Sequence, residues 1–254
     1  MYFLDNLKNN FDFFIRSRMA FSRKNFKEKP EDLSKIIFNQ KQQTVINNLK
    51  NTYDLDFLKN STKRIFLENI YFLKVFDKYF SINKNDNIKI LDIGSKNWSY
   101  VKSEYLFFFA HKKDFILNGI ELDCNRLNSN FYSRAEIAKF YSQSLKNANY
   151  TAGDLMGHNE KYDYIIWILP FILKYPLVKW GLPLKYFKPE EMLSHAYNLL
   201  NDNGQMLIIN QGISEFEAQK ELNQKSGLNF EYFGLIEDDF NLFKNERYCC
   251  KITK

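Results

Sequence analysis

The first 80 residues contain no glycine and a single proline, Pro30. Tight reversals are therefore scarce there, which excludes a turn-dense, β-rich region. Cysteine is equally thin. Cys124, Cys249 and Cys250 form an odd set, two of them adjacent, with no CxxC spacing. Neighbouring cysteines do not readily pair, so neither a disulfide framework nor a metal site is supported. A reducing compartment, the cytoplasm, is the expected location. Long apolar runs are missing too. The longest, Tyr164 to Leu173, is about half the ~20 residues that a membrane-spanning helix needs. Charge also interrupts the N-terminal stretch too early for the apolar core of a secretory signal.

Charge of one sign is lacking over most of the chain. Residues 1–80 carry 15 Lys and Arg against 9 Asp and Glu, and the remainder carries 21 of each. The whole formal charge of +6 thus lies in the N-terminal third, where Arg16, Arg18, Arg23, Lys24, Lys27 and Lys29 cluster. A localised basic patch can attract nucleic acid, an anionic membrane or an acidic partner. The bland alternative is a compositional bias, since Lys, Asn, Ile, Phe and Tyr are abundant throughout.

What is present has two distinct periods. Leu55, Leu58, Ile65, Phe66, Ile70, Leu73, Phe76 and Phe80 recur at helical spacing. Pro30-Glu31-Asp32 reads as a helix start. Three or four helices are predicted over residues 1–80. From Asn87 the pattern turns to short β-rich runs: Ile88 to Gly94, Phe115 to Glu121, Tyr162 to Leu169 and Met206 to Asn210, with a weaker one near Tyr150. The turn Asn201-Asp202-Asn203-Gly204 leads into the last. Helical stretches are predicted at 99–113, 131–147, 189–200 and 214–226. Alternation of strand and helix, with near-continuously apolar strands, predicts an open, mostly parallel α/β sheet. Two alternating runs, Asn229 to Ile236 and Arg247 to Ile252, are placed as an antiparallel pair at its edge.

Ligands of open α/β sheets bind outside the carboxyl ends of the strands. The strand tips here carry Asp92, Gly94 and Ser95, then Glu121, then Gly153 and Asp154. A glycine allows backbone to approach a ligand closely. A carboxylate at the second tip can accept from both hydroxyls of a ribose, and one at the third from the exocyclic amine of adenine. Together they describe an adenosine-sized pocket.

This arrangement resembles the class I S-adenosylmethionine (SAM)-dependent methyltransferase family from about Lys84 to Lys254. Leu91-Asp92-Ile93-Gly94 is similar to the family's first motif, Gly119-Ile120-Glu121-Leu122-Asp123 to its ribose segment, and Ala152-Gly153-Asp154-Leu155 to its adenine segment. Tyr162 to Ile166 resembles its fourth strand, and Leu199 to Leu207 the helix, turn and fifth strand that follow. The resemblance implies a Rossmann-like, mostly parallel seven-stranded sheet with an antiparallel C-terminal edge strand, preceded by an all-helical N-terminal extension. It divides the chain into a helical lid or recognition region, 1–83, and a SAM-binding domain, 84–254. It places Asp92, Gly94 and Ser95 near the methionine part of SAM, Glu121 and Leu122 at the ribose, and Asp154 and Leu155 at the adenine. The sequence departs from the family where glycines usually stand two and four residues beyond Gly94; here they are Lys96 and Trp98. The same departure argues against a nicotinamide dinucleotide, which needs the fuller GxGxxG turn.

The acceptor is less legible. Ile168-Leu169-Pro170-Phe171 faintly resembles the segment by which some methyltransferases hold an exocyclic amine, but its polar residue is missing. That favours a small-molecule or protein side-chain acceptor, with Pro170 and Phe171 as candidate substrate contacts and the aromatic-rich stretch 170–188 as a pocket wall. RNA or DNA held by the basic residues 16–29 is one alternative. A degenerate fold kept for binding is another. No catalytic base is assigned, since a sulfonium is already a good leaving group; of His111, His158 and His195, His158 lies nearest the adenine segment.

Overall fold

The computed structural model describes residues 2–20, 23, 26–82, 87–111 and 114–254. Lys24, the end of the helix expected to reach 113, and the domain boundary expected between 83 and 84 lie outside the described residues.

Seven strands form one sheet in the order β3-β2-β1-β4-β5-β7-β6. They are β1 (Ile88–Ile93), β2 (Phe115–Glu121), β3 (Ala148–Ala152), β4 (Tyr162–Ile168), β5 (Leu200–Gln211), β6 (Phe230–Ile236) and β7 (Arg247–Thr253). β1 to β5 run parallel, and β7 is inserted antiparallel between β5 and β6. The two C-terminal runs thus pair antiparallel at the sheet's edge, and the arrangement is the class I methyltransferase fold that the motif order implies. The expected turn at Asn201 to Gly204 lies inside β5, as a break in register between the pairs Tyr162–Leu200 and Tyr164–Gln205.

Strands alternate faces, so each central strand feeds two cores. Ile88 and Ile90 of β1, with Tyr164, Ile166 and Ile168 of β4, join the core under α2 (Gln40–Lys50), α3 (Lys63–Tyr79), α4 (Val101–His111) and α5 (Arg134–Ser142). Leu91 and Ile93, with Ile165 and Trp167, join the opposite core under α7 (Pro189–Leu199) and α8 (Gly212–Lys225). Burial on both faces is why these strands read as apolar runs rather than alternating ones.

Among the described residues the N-terminal third holds three α-helices. The first, α1 (Phe3–Arg18), docks on the short α6 (Lys174–Lys179) through Phe13 and the Asn9 amide, which donates to the carbonyls of Val178 (2.9 Å) and Leu182 (3.1 Å). α3 instead lies in the same core as the sheet and buries ten residues. Pro30-Glu31-Asp32 does not begin a long helix. It leads into a single 3₁₀ turn, Leu33–Lys35, capped by Asp32. The β-branched pair Ile36-Ile37 follows, and Asn39 starts α2 afresh with a capping box to Gln42. Likewise α5 starts only at Arg134, because Ser133 and Glu136 form a capping box there. Among the described residues no helix is long and apolar enough to cross a membrane.

One buried amide bolts α3 to the sheet domain. Asn69 donates to the carbonyls of Ile65 (2.9 Å) and Ser99 (3.0 Å) and accepts from the N–H of Ser103 (2.8 Å), where α4 begins. Asn69→Ala strands a buried donor and acceptor, each worth about 1–3 kcal/mol. We expect about 2–4 kcal/mol less stability in urea unfolding, in one cooperative transition. Two separated transitions would mean that α3 is not part of the main core.

Candidate functional site

The loop after β1 runs in an unusual conformation. Gly94, Lys96 and Trp98 have φ of +71°, +54° and +49°. These are the three positions at which the resembling family carries glycine, so the left-handed path is kept where two glycines are not. A non-glycine residue pays roughly 1–2 kcal/mol for it. Surrounding bonds hold it in place. The N–H groups of Gly94 and Ser95 donate to the Ile120 carbonyl at 2.9 and 3.2 Å. The Lys96 N–H donates to Glu121 Oε2 (2.9 Å), and the Tyr150 hydroxyl to the Lys96 carbonyl (2.7 Å). At the tip of β4, Leu169 is left-handed as well, at +58°. Of the eight described non-glycine residues with positive φ, four are asparagines, which tolerate it. Three of the other four are Lys96, Trp98 and Leu169. Lys96 and Leu169 lie on one surface, formed by the strand tips.

Trp98 does not enter that surface. It is fully buried beneath β2, and its indole N–H donates to Glu104 Oε2 at 2.9 Å. A Cβ on Gly119 would come within 2.9 Å of its ring, so glycine in β2 makes room for the indole. Trp98 seals the layer under the loop.

Above it the tips of β1, β2, β3 and β4 enclose a cavity of about 450 Å³. Gly94, Lys96, Glu121, Leu122, Asp154, Leu155, Pro170 and Phe171 line it. Asp92 and Ser95 do not. Both side chains are completely buried below the loop, so of the three residues expected near the methionine part only Gly94 reaches the cavity wall. Asp92 Oδ2 accepts from the Tyr100 hydroxyl (2.9 Å), and the Ser95 hydroxyl lies 3.4 Å from the Ile120 carbonyl.

Glu121 is buried and heavily used. Oε2 accepts from Lys96, while Oε1 accepts from the Asp123 N–H and the Arg134 guanidinium, each at 2.9 Å. A carboxylate offers about four acceptor positions, and three are taken, so Oε2 retains one rather than two. Asp154 is exposed, and its Oδ1 caps the turn Leu155–Gly157 through the Met156 N–H at 3.0 Å.

Sequence reasoning missed two residues, Lys96 and Arg134. Lys96 reads as a lost glycine, yet its side chain lines the cavity, and its ammonium lies 5.0 Å from the Trp180 ring centre without a carboxylate ion pair among the described residues. Burial and then the neighbouring Arg134 hold its pKa below the ordinary lysine value. Arg134, behind Ser133, gave no signal as the partner of Glu121. The segment 170–188, expected as a pocket wall, contains α6, and Leu177, Trp180, Leu182 and Tyr186 from it and the turn beyond form an apolar wall, with Lys185 at the same cavity. The histidines stand outside. His158 bonds to the Tyr162 hydroxyl, His195 to the His158 carbonyl and His111 to the Phe107 carbonyl. Of the basic cluster, Arg16 is committed to Asp123 and the Gly181 carbonyl, and Arg23 to Glu136.

No protein-family model matches the chain, and no curated protein matches it. Solved structures are similar in fold. A precorrin-6y C5,15-methyltransferase from Geobacter metallireducens has a TM-score of 0.45 at 10% identity, covering 67% of this chain and 82% of its own. A plantazolicin methyltransferase in complex with SAH has 0.46 at 14% identity, covering 85% and 91%. A SAM-dependent methyltransferase from Aquifex aeolicus has 0.46 at 11% identity, covering 83% and 96%. The fold assignment itself rests on strand order.

Under the loop, Asp92 and Glu104 are completely buried and face each other. Asp92 Oδ1 and Glu104 Oε1 have no N–H or O–H donor, unless one carboxyl is protonated and donates to the other. Burial pushes Asp92 up to about 7, and Glu104 well above the usual carboxylate range. Both groups bind protons more tightly folded than unfolded. Their contribution is therefore fully present in acid and is lost as pH rises from about 4, where unfolded carboxyls ionise, through about 7, where Asp92 does. Glu104→Gln keeps the acceptor for Trp98, supplies an amide donor to Asp92 and cannot ionise. We expect the variant to gain on the wild type as pH rises, by about 1 kcal/mol or more at pH 8, in urea unfolding at pH 5, 6.5 and 8. A gap that does not change with pH would mean that Glu104 titrates normally.

Proposed function

We propose that the chain is a SAM-dependent methyltransferase acting on a small molecule or a protein side chain. One observation carries the reading: Gly94, Glu121 and Asp154, from three successive strand tips, lie on the wall of one cavity. That is where an open α/β sheet binds its ligand, and the volume suits a cofactor with a small acceptor.

The residues present fit the cofactor. The remaining acceptor position of Glu121 takes a ribose hydroxyl, and Leu122 packs beside it. Asp154 accepts from the adenine amine, with Leu155 against the ring. Lys96 stands beside Gly94, where the methionine part belongs, and offers an ammonium to its carboxylate. Bound SAM supplies an electrophilic methyl group on a sulfonium. The protein's task is then to hold the acceptor in line behind that carbon, by SN2 geometry, and positioning of this kind is worth on the order of 7–11 kcal/mol. Pro170, Phe171 and the apolar wall from α6 hold the acceptor and keep water out. A small molecule or side chain is favoured over nucleic acid because Arg16 and Arg23 of the basic cluster are spent on internal ion pairs. Of the N-terminal helices, α1 serves as the recognition element, through its contact with α6.

Calorimetry with SAM and SAH tests the reading. Saturable binding is expected, and neither heat nor thermal shift at millimolar cofactor would overturn it. Glu121→Gln keeps the side chain's shape beside Arg134, whereas Glu121→Ala would leave that buried cation unpaired. We expect Glu121→Gln to weaken SAH by roughly tenfold, the worth of a hydrogen bond to a charged group. Lys96→Met is expected to weaken SAH by a similar factor while leaving 5′-methylthioadenosine, which lacks the carboxylate, unchanged. Equal losses for both ligands would assign Lys96 a purely structural role.

A further inference from the structure

The outer face of α1 is largely apolar and exposed, with one cation in it, Arg18, whose guanidinium lies 3.6 Å from the Phe14 ring centre. Phe3, Leu4, Leu7, Phe11, Phe14, Ile15 and Met19 are seven of the 17 exposed large hydrophobics in the described chain, and Phe3, Leu4 and Phe11 are 73%, 77% and 65% exposed. At 100° per residue, the first six fall on one stripe about 120° wide. It points directly away from Asn9 and Arg16, which face the body of the protein. At roughly 200 Å² per fully exposed large side chain, the seven present on the order of 800 Å² of apolar surface. Monomers rarely expose a patch above about 600 Å². A standard protein interface buries about 800 Å² per partner.

We propose that this stripe is a homodimer contact, in which α1 packs against α1 of a second copy, antiparallel about a two-fold axis. An isologous contact must be complementary to itself, and the stripe is. Reversal about Asn9 exchanges Phe3 with Ile15, Leu4 with Phe14 and Leu7 with Phe11, so apolar residues meet apolar residues in every layer. A two-fold axis sets like rims side by side, and the charged rim holds Asp5, Lys8 and Asp12, of which Lys8 and Asp12 pair within the helix at 2.6 Å; the same reversal sets Asp5 of one copy near Asp12 of the other, a like-charge contact that the lysines offset. A second copy brings its Asp12 within one turn of Lys8, and the converse. An anionic membrane fits less well, because Asp5 and Asp12 on that rim offset Lys8 and would face the lipid headgroups. The contact has a consequence for the cavity. Asn9 ties α1 to α6, so pairing of α1 would brace the acceptor walls of both copies.

Sedimentation of the full chain tests this. A species of twice 30.5 kDa is expected at micromolar concentration, in the range that interfaces of this size reach. Leu7→Glu with Phe11→Glu should raise the dimer Kd by roughly 100-fold or more, with circular dichroism unchanged because both residues are exposed and Tm lowered only by what dimerisation itself contributes. Lys8→Asp should weaken the dimer, and Lys8→Asp with Asp12→Lys should restore it. A wild type that stays monomeric, a dimer indifferent to the Leu7 and Phe11 changes, or flotation of the monomer with phosphatidylserine vesicles through α1 would each overturn the proposal.

Discussion

The carboxylate of Glu121 is the point on which the site depends. At the end of β2 it collects a backbone N–H from the loop after β1, another from its own continuation at Asp123, and the guanidinium of Arg134 from α5. Three segments distant in sequence are thereby fixed around one buried charge. A buried anion without such partners would ionise only at great cost. The same bonds that make Glu121 tolerable also hold a wall of the cavity, and they leave one acceptor position unused.

The loop held by Glu121 shows how a glycine-rich conformation survives without its glycines. Lys96 and Trp98 remain left-handed because their groups are bonded on every side: Lys96 through its N–H and carbonyl, Trp98 through its indole and a buried seat against Gly119. The strain is offset by those bonds and by the complete burial of an indole. Trp98 thereby rests on Glu104, and Glu104 on Asp92, which puts two carboxyls where water cannot reach them. That pair keeps a proton because both members cannot be charged at such depth. The substitution that looks like decay of a motif is thus the top of a buried, titratable support.

The N-terminal helices divide by how they meet the rest. α3 shares the sheet's core and is bolted through Asn69, whereas α1 touches the body through Asn9, Phe13 and Arg16 and turns its apolar side outward. The two attachments suit two roles: α3 completes the fold, and α1 joins the cavity wall from α6 to whatever lies outside.

Much of the architecture was legible in the chain. Apolar runs of strand length, each followed by a helical period, determined the parallel sheet, and the antiparallel C-terminal pair followed from two alternating runs. Gly94, Glu121 and Asp154 were identified as strand-tip residues for the same reason: a strand's end is marked locally, and topology brings such ends together. Tertiary structure alone decided which of these side chains face the cavity. Asp92 and Gly94 are two residues apart, yet one lies below the loop and the other on the wall. Lys96 read as a loss and became a cavity cation, and Arg134 gave no sign of pairing with Glu121. Periodicity records how a segment meets its own layer; it carries no trace of which charges and rings approach through space from elsewhere in the chain, and those neighbours assign each residue its task.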